Sequence, residues 1–217
     1  MKRGKYQLKR RAEREAETRN RIVEAAVALH AEVGPARTTI SAIAELAGVR
    51  RPTVYRHFPD EVSLFRACST HGLTIYPLPD PEPWLEVPDP VGRLRTALGE
   101  LYPFYRRHER RLSNILRDSE AMPDLQEVNA VVFLPRMQRM HEVLAAAWAA
   151  QGRLSTELLP MLGLVLNFYT WRFLALQTGM ADSQAVEVAV GIVDCASQRR
   201  WGEQPDPLAG HQAAPPG

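Results

Sequence analysis

Apolar residues recur at helical spacing along almost the whole chain, and nowhere do they alternate with polar ones long enough to predict a strand. From about Glu15 the residues Ile22, Ala26, Leu29 and Val33 share one helix face, which Gly34-Pro35 brings to a stop. A short helix follows from Thr39, a hydroxyl residue placed to cap free N–H groups, with Ile40, Ile43, Ala44 and Ala47 inward and Gly48 at its end. Another spans about Arg51 to Phe58, with Pro52 tolerated in its first turn. Pro59-Asp60 breaks it and caps a fourth helix on Val62, Leu64, Phe65 and Cys68.

Six prolines between Tyr76 and Pro90 then exclude regular helix, so "YPLPDPEPWLEVPDP" reads as an extended linker or loop at a module boundary, with Trp84 docked on a neighbouring helix. Beyond it the helical period resumes. Asp89-Pro90 opens a helix with Val91, Leu94, Leu98, Leu101 and Tyr105 on one stripe, which Pro103 should kink or end. Further helices are predicted over about Leu112–Glu120, Leu125–Ala150 (bent at Pro135), Ser155–Gln177 and Asp182–Arg200. The organisation expected is all-α: a basic disordered arm over 1–14, a helix-turn-helix domain over 15–75, a Pro-rich linker over 76–90, a larger helical domain over 91–201, and a disordered tail over 202–217.

Charge sharpens this division. The whole chain carries +2, but residues 1–57 hold 13 Lys/Arg against 6 Asp/Glu, a surplus of +7, so the remainder is acidic at −5. Such asymmetry points to an N-terminal module that meets a polyanion. No run of about 18 apolar residues offers a membrane span, and the polar N-terminus is not a secretory signal. Cys68 and Cys195 are isolated and match no metal spacing, so a cytoplasmic protein without metal or cofactor is expected. The six histidines, at 30, 57, 71, 108, 141 and 211, form no HExxH pair. With no phosphate loop and no nucleophile elbow either, an enzyme is not expected.

The two short helices meeting at Gly48 form a helix-turn-helix pattern. Ala44 is small enough to let the second helix approach, Gly48 can take the positive φ of the sharp turn, and Val49 and Val54 are inward anchors. The polar run around them is rich in donors. Arginine bonds guanine edges in the major groove, threonine offers a hydroxyl and a methyl, and tyrosine and histidine at the flank suit phosphate oxygens.

Over "TTISAIAELAGVRRPTVYRHFPDEVSLF", and more loosely over residues 15–72, the chain resembles the TetR family of bacterial transcriptional regulators, above all in Thr39, Ala44, Gly48, Val49, Thr53, Tyr55, His57 and Phe58. The resemblance implies a three-helix DNA-binding domain, joined by the fourth helix to a ligand-binding and dimerisation domain, in a homodimer. Carried over by position, it implies that Arg51, Pro52, Thr53 and Arg56 face base edges, while Thr39, Tyr55 and His57 hold phosphates. Two positions depart from the family pattern. Arg50 stands where serine is common, so the usual cap is missing and Arg50 is free to meet phosphate. Glu61 stands where a phosphate-contacting lysine is common; it suits the positive end of a helix but repels the backbone, a loss the basic arm can offset.

For the second domain the expectation is a mostly apolar effector pocket with a few polar groups, built from Tyr105, Phe133, Met137, His141, Trp148, Asn167, Phe168 and Trp171. The apolar stripes of the last two helices, Leu158, Leu162, Val165, Tyr169, Val186, Val190 and Val193, suggest a dimer interface. The function expected is a repressor released from a palindromic double-stranded DNA operator by a small apolar or amphipathic effector. The rival reading is a helical homodimer that acts through protein partners with a non-functional helix-turn-helix.

Overall fold

The computed structural model describes residues 2–198, with side chains from Tyr6 onward, and among these every regular element is helical. The elements are α1 (Lys2–Glu32), α2 (Ile40–Leu46), α3 (Arg51–His57), α4 (Glu61–Ile75), α5 (Pro90–Arg107), α6 (Glu109–Ser119), α7 (Pro123–Ala150), α8 (Leu158–Leu166), α9 (Phe168–Arg172) and α10 (Asp182–Gln198). Short 3-10 turns occupy Pro35–Arg37 and Glu82–Glu86. The tail expected over 202–217 lies outside the described residues.

Two compact units result, and neither is a continuous stretch of chain: one takes residues up to Pro81 plus Glu100–Met140, the other Glu82–Gly99 and the chain from His141. The expected single boundary at the Pro-rich segment is therefore too simple. In the first unit α6 packs on α1 and stays with the helix-turn-helix. Its Asn114 Nδ2 donates to Ala31 O (3.0 Å) and Glu32 O (3.2 Å), and Arg110 Nη2 donates to Glu32 O at 3.1 Å. These bonds satisfy carbonyls that the end of α1 leaves free. The buried Asp118 carboxylate accepts the Ala36 N–H at 2.9 Å and pairs with Arg117 at 2.8 Å. It lies so close to Gly34 (φ +94°) that a Cβ there would collide with it. Gly34 thus ends α1 and makes room for the tie to α6.

Residues 6–14, expected as part of a disordered arm, are helical and exposed within α1. The segment is basic but built from good helix formers, with an exposed Lys9–Glu13 pair at i, i+4 (3.9 Å), and it extends a helix already nucleated by the packed turns after it. Pro103 does not end α5, which continues to Arg107.

In the second unit Trp84 is fully buried and Arg93 organises the Pro-rich segment. Though only 7% exposed, Arg93 donates from Nε to Val87 O (2.8 Å), from Nη1 to Val143 O (2.8 Å) and from Nη2 to Leu85 O (3.2 Å). The single helix expected over Ser155–Gln177 is broken. Ser155 Oγ does accept the Leu158 N–H at 3.3 Å, but Asn167 turns extended (φ −74°, ψ 135°) and its Oδ1 accepts the Tyr169 N–H at 2.8 Å. A local side-chain acceptor has replaced the helical ladder, and the segments on either side meet at a 61° bend. A π-helical stretch, Phe173–Gln177, follows α9. No single helix among the described residues is long and apolar enough to cross a membrane.

Candidate nucleic-acid interface

Burial orients the reading helix. Ile22, Val23, Ala26, Ile43, Ala44, Val54, Phe58, Leu64 and Cys68 form one core shared by α1 to α4. Burial pushes the Cys68 thiol up to about 12, so it behaves as a small apolar side chain. Val54, with no exposed surface, fixes the rotation of α3, and the helical repeat then sends Arg51, Pro52, Tyr55 and Arg56 to solvent while Thr53 and His57 lie half-buried.

The turn before α3 is closed by backbone alone. Gly48 adopts φ +64°, its N–H bonds Glu45 O (3.1 Å), and the Val49 N–H bonds Ala44 O (2.9 Å). This is the Schellman arrangement, with Val49 half-buried against the core at the position where an apolar contact is favoured. Thr39 is exposed and caps α2, its Oγ1 accepting the Ala42 N–H at 3.1 Å. The hydroxyl proton remains available for a phosphate oxygen. Arg50, exposed and extended (φ −88°, ψ 147°), precedes α3 without capping it. At the N-terminus of α4, Asp60 Oδ1 accepts the Ser63 N–H at 2.7 Å, and the exposed Glu61 adds a second carboxylate to that positive end. Among the expected phosphate ligands His57 differs from the simplest picture: its Nε2 is enclosed by protein without a hydrogen-bond partner, so any phosphate contact falls to Nδ1. Phe58 lies beneath the Arg19 guanidinium, 4.8 Å from its ring centroid.

The residues expected to line an effector pocket are divided between the units. Tyr105, Phe133 and Met137 belong to the first, whereas His141, Trp148, Asn167, Phe168 and Trp171 belong to the second. Several of their polar atoms already serve the fold. His141 Nε2 lies 2.8 Å from Leu159 O, Asn167 caps α9, and Trp171 Nε1 donates to Asp182 Oδ1 at 2.9 Å. Trp148 is fully buried and its Nε1 has no partner.

The interface expectation needs correction. Leu158, Leu162, Val165, Val186, Val190 and Val193 are each at most 5% exposed within their own unit, because α8 and α10 pack on each other along those stripes. Of the seven residues only Tyr169, 42% exposed, reaches the surface. Exposed instead is a different apolar set: Leu164 on α8, Phe173 and Leu176 on the π-helical stretch, and Val188 and Ile192 on α10.

Sequence reasoning also missed His30, Arg93, Arg111 and Asp118. Each is a single polar residue on an amphipathic helix, and no local signal marks its burial. His30 lies in the last turn of α1, with its ring centroid 5.9 Å from that of Phe65. Burial lowers its pKa to about 4, against the opposing pull of Asp118. The unfolded chain therefore takes up this proton near pH 6.5 and the folded chain only near pH 4. Stability should fall as pH drops through that window, by about 3 kcal/mol in full. His30→Leu should remove this share of the slope when urea unfolding of the two proteins is compared between pH 7 and 4; parallel profiles would refute the assignment.

Comparison with known proteins agrees with this geometry. Residues 22–68 match the family described as "Bacterial regulatory proteins, tetR family". The chain is 38% identical to the HTH-type transcriptional regulator TtgR of Pseudomonas putida over 97 residues, 44% of this chain and 46% of TtgR. It is 45% identical to the probable HTH-type transcriptional regulator ArpR of Pseudomonas putida over 60 residues, 28% of this chain and 29% of that one. The chain thus matches less than half the length of these relatives. A tetR-family transcriptional regulator from Streptomyces coelicolor superposes with a TM-score of 0.59 at 18% identity, covering 84% of this chain and 82% of that one. A transcriptional regulator from Rhodococcus sp. Rha1 gives 0.58 at 19% identity, covering 82% and 96%. At such identities these structures speak for the fold.

Proposed function

We propose that this chain is a TetR-family transcriptional regulator, on the match of residues 22–68 and the similarity to TtgR, and that it is a cytoplasmic homodimeric repressor, released from a palindromic operator by a small apolar or amphipathic effector. The observation that carries the DNA-reading part is the outward row Arg51, Pro52, Tyr55 and Arg56 on a helix whose rotation is locked by buried Val54. Arg51 and Arg56 supply forked donors for guanine, and Thr53 supplies a hydroxyl and a methyl for thymine. Thr39, Arg50, Tyr55 and His57 flank them for phosphate contacts, which set register but not sequence.

The second copy docks through the exposed set Leu164, Phe173, Leu176, Val188 and Ile192, with Tyr169 beside it. Two-fold symmetry then places half-sites about one helical turn apart. The effector acts by binding more tightly to the conformer whose reading helices are misplaced.

Selection of bound sequences from random duplex DNA at moderate salt tests the reading. A palindrome should be enriched, and Arg51→Ala and Thr53→Ala should each relax preference at one position per half-site, by about 1–3 kcal/mol of discrimination. Salt-sensitive binding without enrichment would reduce the module to a basic surface. Absence of binding would favour the protein-partner reading, which the exposed carboxylate of Glu61 beside the reading helix keeps in play.

A further inference from the structure

We infer that the groove between the end of α1 and the start of α6, in the first unit, binds a monocarboxylate with a compact apolar body, anchored through its carboxylate by Arg111. The inference deepens the ligand-responsive reading and rests on it for its consequence at DNA.

Arg111 is the anomaly among the buried cations. It is 9% exposed, yet no carboxylate or carbonyl accepts a hydrogen bond from it among the described residues; its guanidinium lies 4.5 Å from the Tyr76 ring centroid. Arg93, buried to a similar degree, is satisfied by three backbone carbonyls. Arg117 is paired with Asp118, and Arg110 is bonded to Glu32 O. Burial works against the charge of Arg111, and a guanidinium does not give up its proton at physiological pH. A forked cation held in place without an anion is the half of a bidentate pair that the protein supplies.

The surroundings select the ligand. Arg111 forms part of a groove of about 550 Å³ to which Arg107, Arg110, His108 and Tyr76 also contribute. Ala28 and Ala31 line its α1 side, and their small side chains leave room for an apolar body. The His108 ring packs against Tyr76 (5.0 Å) and Phe104 (4.7 Å), which makes an aromatic wall. Burial, together with Arg111 and Arg107, holds the His108 pKa below its usual range. Three guanidinium groups against the single carboxylate of Glu32 favour an anion. Glu32 opposes a second negative charge, which favours a monoanion over a phosphate dianion. On its other side Arg111 borders a cavity of about 30 Å³, room for one water and not for a ligand. The groove is therefore the site.

Occupancy has a direct structural consequence. A carboxylate between Arg111 and Arg110 competes with Glu32 O for Arg110, one of the bonds that tie α6 to the end of α1. Helix α1 carries Ile22, Val23 and Ala26 of the DNA-binding core.

Calorimetric titration of the full chain with benzoate and with octanoate at low ionic strength tests the site. One saturable site per chain is expected for at least one of them, with benzamide and inorganic phosphate at least 10-fold weaker. Arg111→Met, checked for folding by its thermal melt, should weaken that carboxylate at least 10-fold. Should that variant fail to fold, Ala31→Leu, which fills the groove and leaves Arg111 in place, should do the same. No saturable binding, phosphate as strong as carboxylate, or affinity unchanged in both variants would overturn the inference. Release from the selected operator separates the two readings. An effector whose release is unaffected by either variant would overturn this site and leave the regulator intact. Carboxylate binding that depends on Arg111 but leaves operator affinity unchanged would support the site and overturn its regulatory role.

Discussion

A chain carrying Phe173→Glu and Ile192→Glu is expected to sediment as a monomer and to lose at least about 100-fold in affinity for its operator. Both side chains are exposed, Phe173 at 55% and Ile192 at 39%, so their replacement costs the isolated fold little. In a two-fold interface each substitution is met twice, and four buried carboxylates without partners are far more than such a contact can absorb. The loss at DNA follows from linkage of the two half-sites: a monomer forfeits the effective concentration that holds the second reading helix near its half-site. Sedimentation velocity with and without operator duplex checks both parts. A variant that remains dimeric would place the interface elsewhere.

The second large effect concerns stability. Arg93→Met should lower the unfolding free energy by about 3–5 kcal/mol, because three carbonyls that now accept charge-assisted bonds lose their donor. Arg93→Lys should recover only a minor part, since a single ammonium cannot span acceptors on Leu85, Val87 and Val143 as the planar guanidinium does. Urea unfolding measures both. A loss below 1 kcal/mol for the methionine variant would mean that Arg93 does not organise this segment.

How far these sites could be read in advance depends on the range of the interactions that make them. The cap at Thr39 and the positive φ at Gly48 rest on partners within a few residues. The core stripe of α1 and the inward Val54, though packed against distant helices, are legible in the spacing of apolar residue types along their own helices. The break at Asn167 is also local, but a single Asn inside a long apolar period signals it weakly, and the helical pattern continues unbroken across it. Arg93 and Asn114 lie at the other extreme. Their acceptors are backbone carbonyls up to 83 positions away, and every residue has a carbonyl, so no residue type marks the pairing.

The proposed dimer face shows the same limit from another side. Apolar period predicts that α8 and α10 carry stripes, but it does not say which stripe a neighbouring helix of the same chain will cover. Packing decided that Val186, Val190 and Val193 are core and that Val188 and Ile192 are surface. By itself the sequence determined an all-helical chain with a basic reading helix after a glycine turn, because caps, turns and helical period act through neighbours along the backbone. Only the tertiary structure decided that α6 belongs with the DNA-binding core, which charges are satisfied, and that Arg111 is left without an anion. Those outcomes depend on which distant surfaces meet, and the free energy of burial is assigned only when they do.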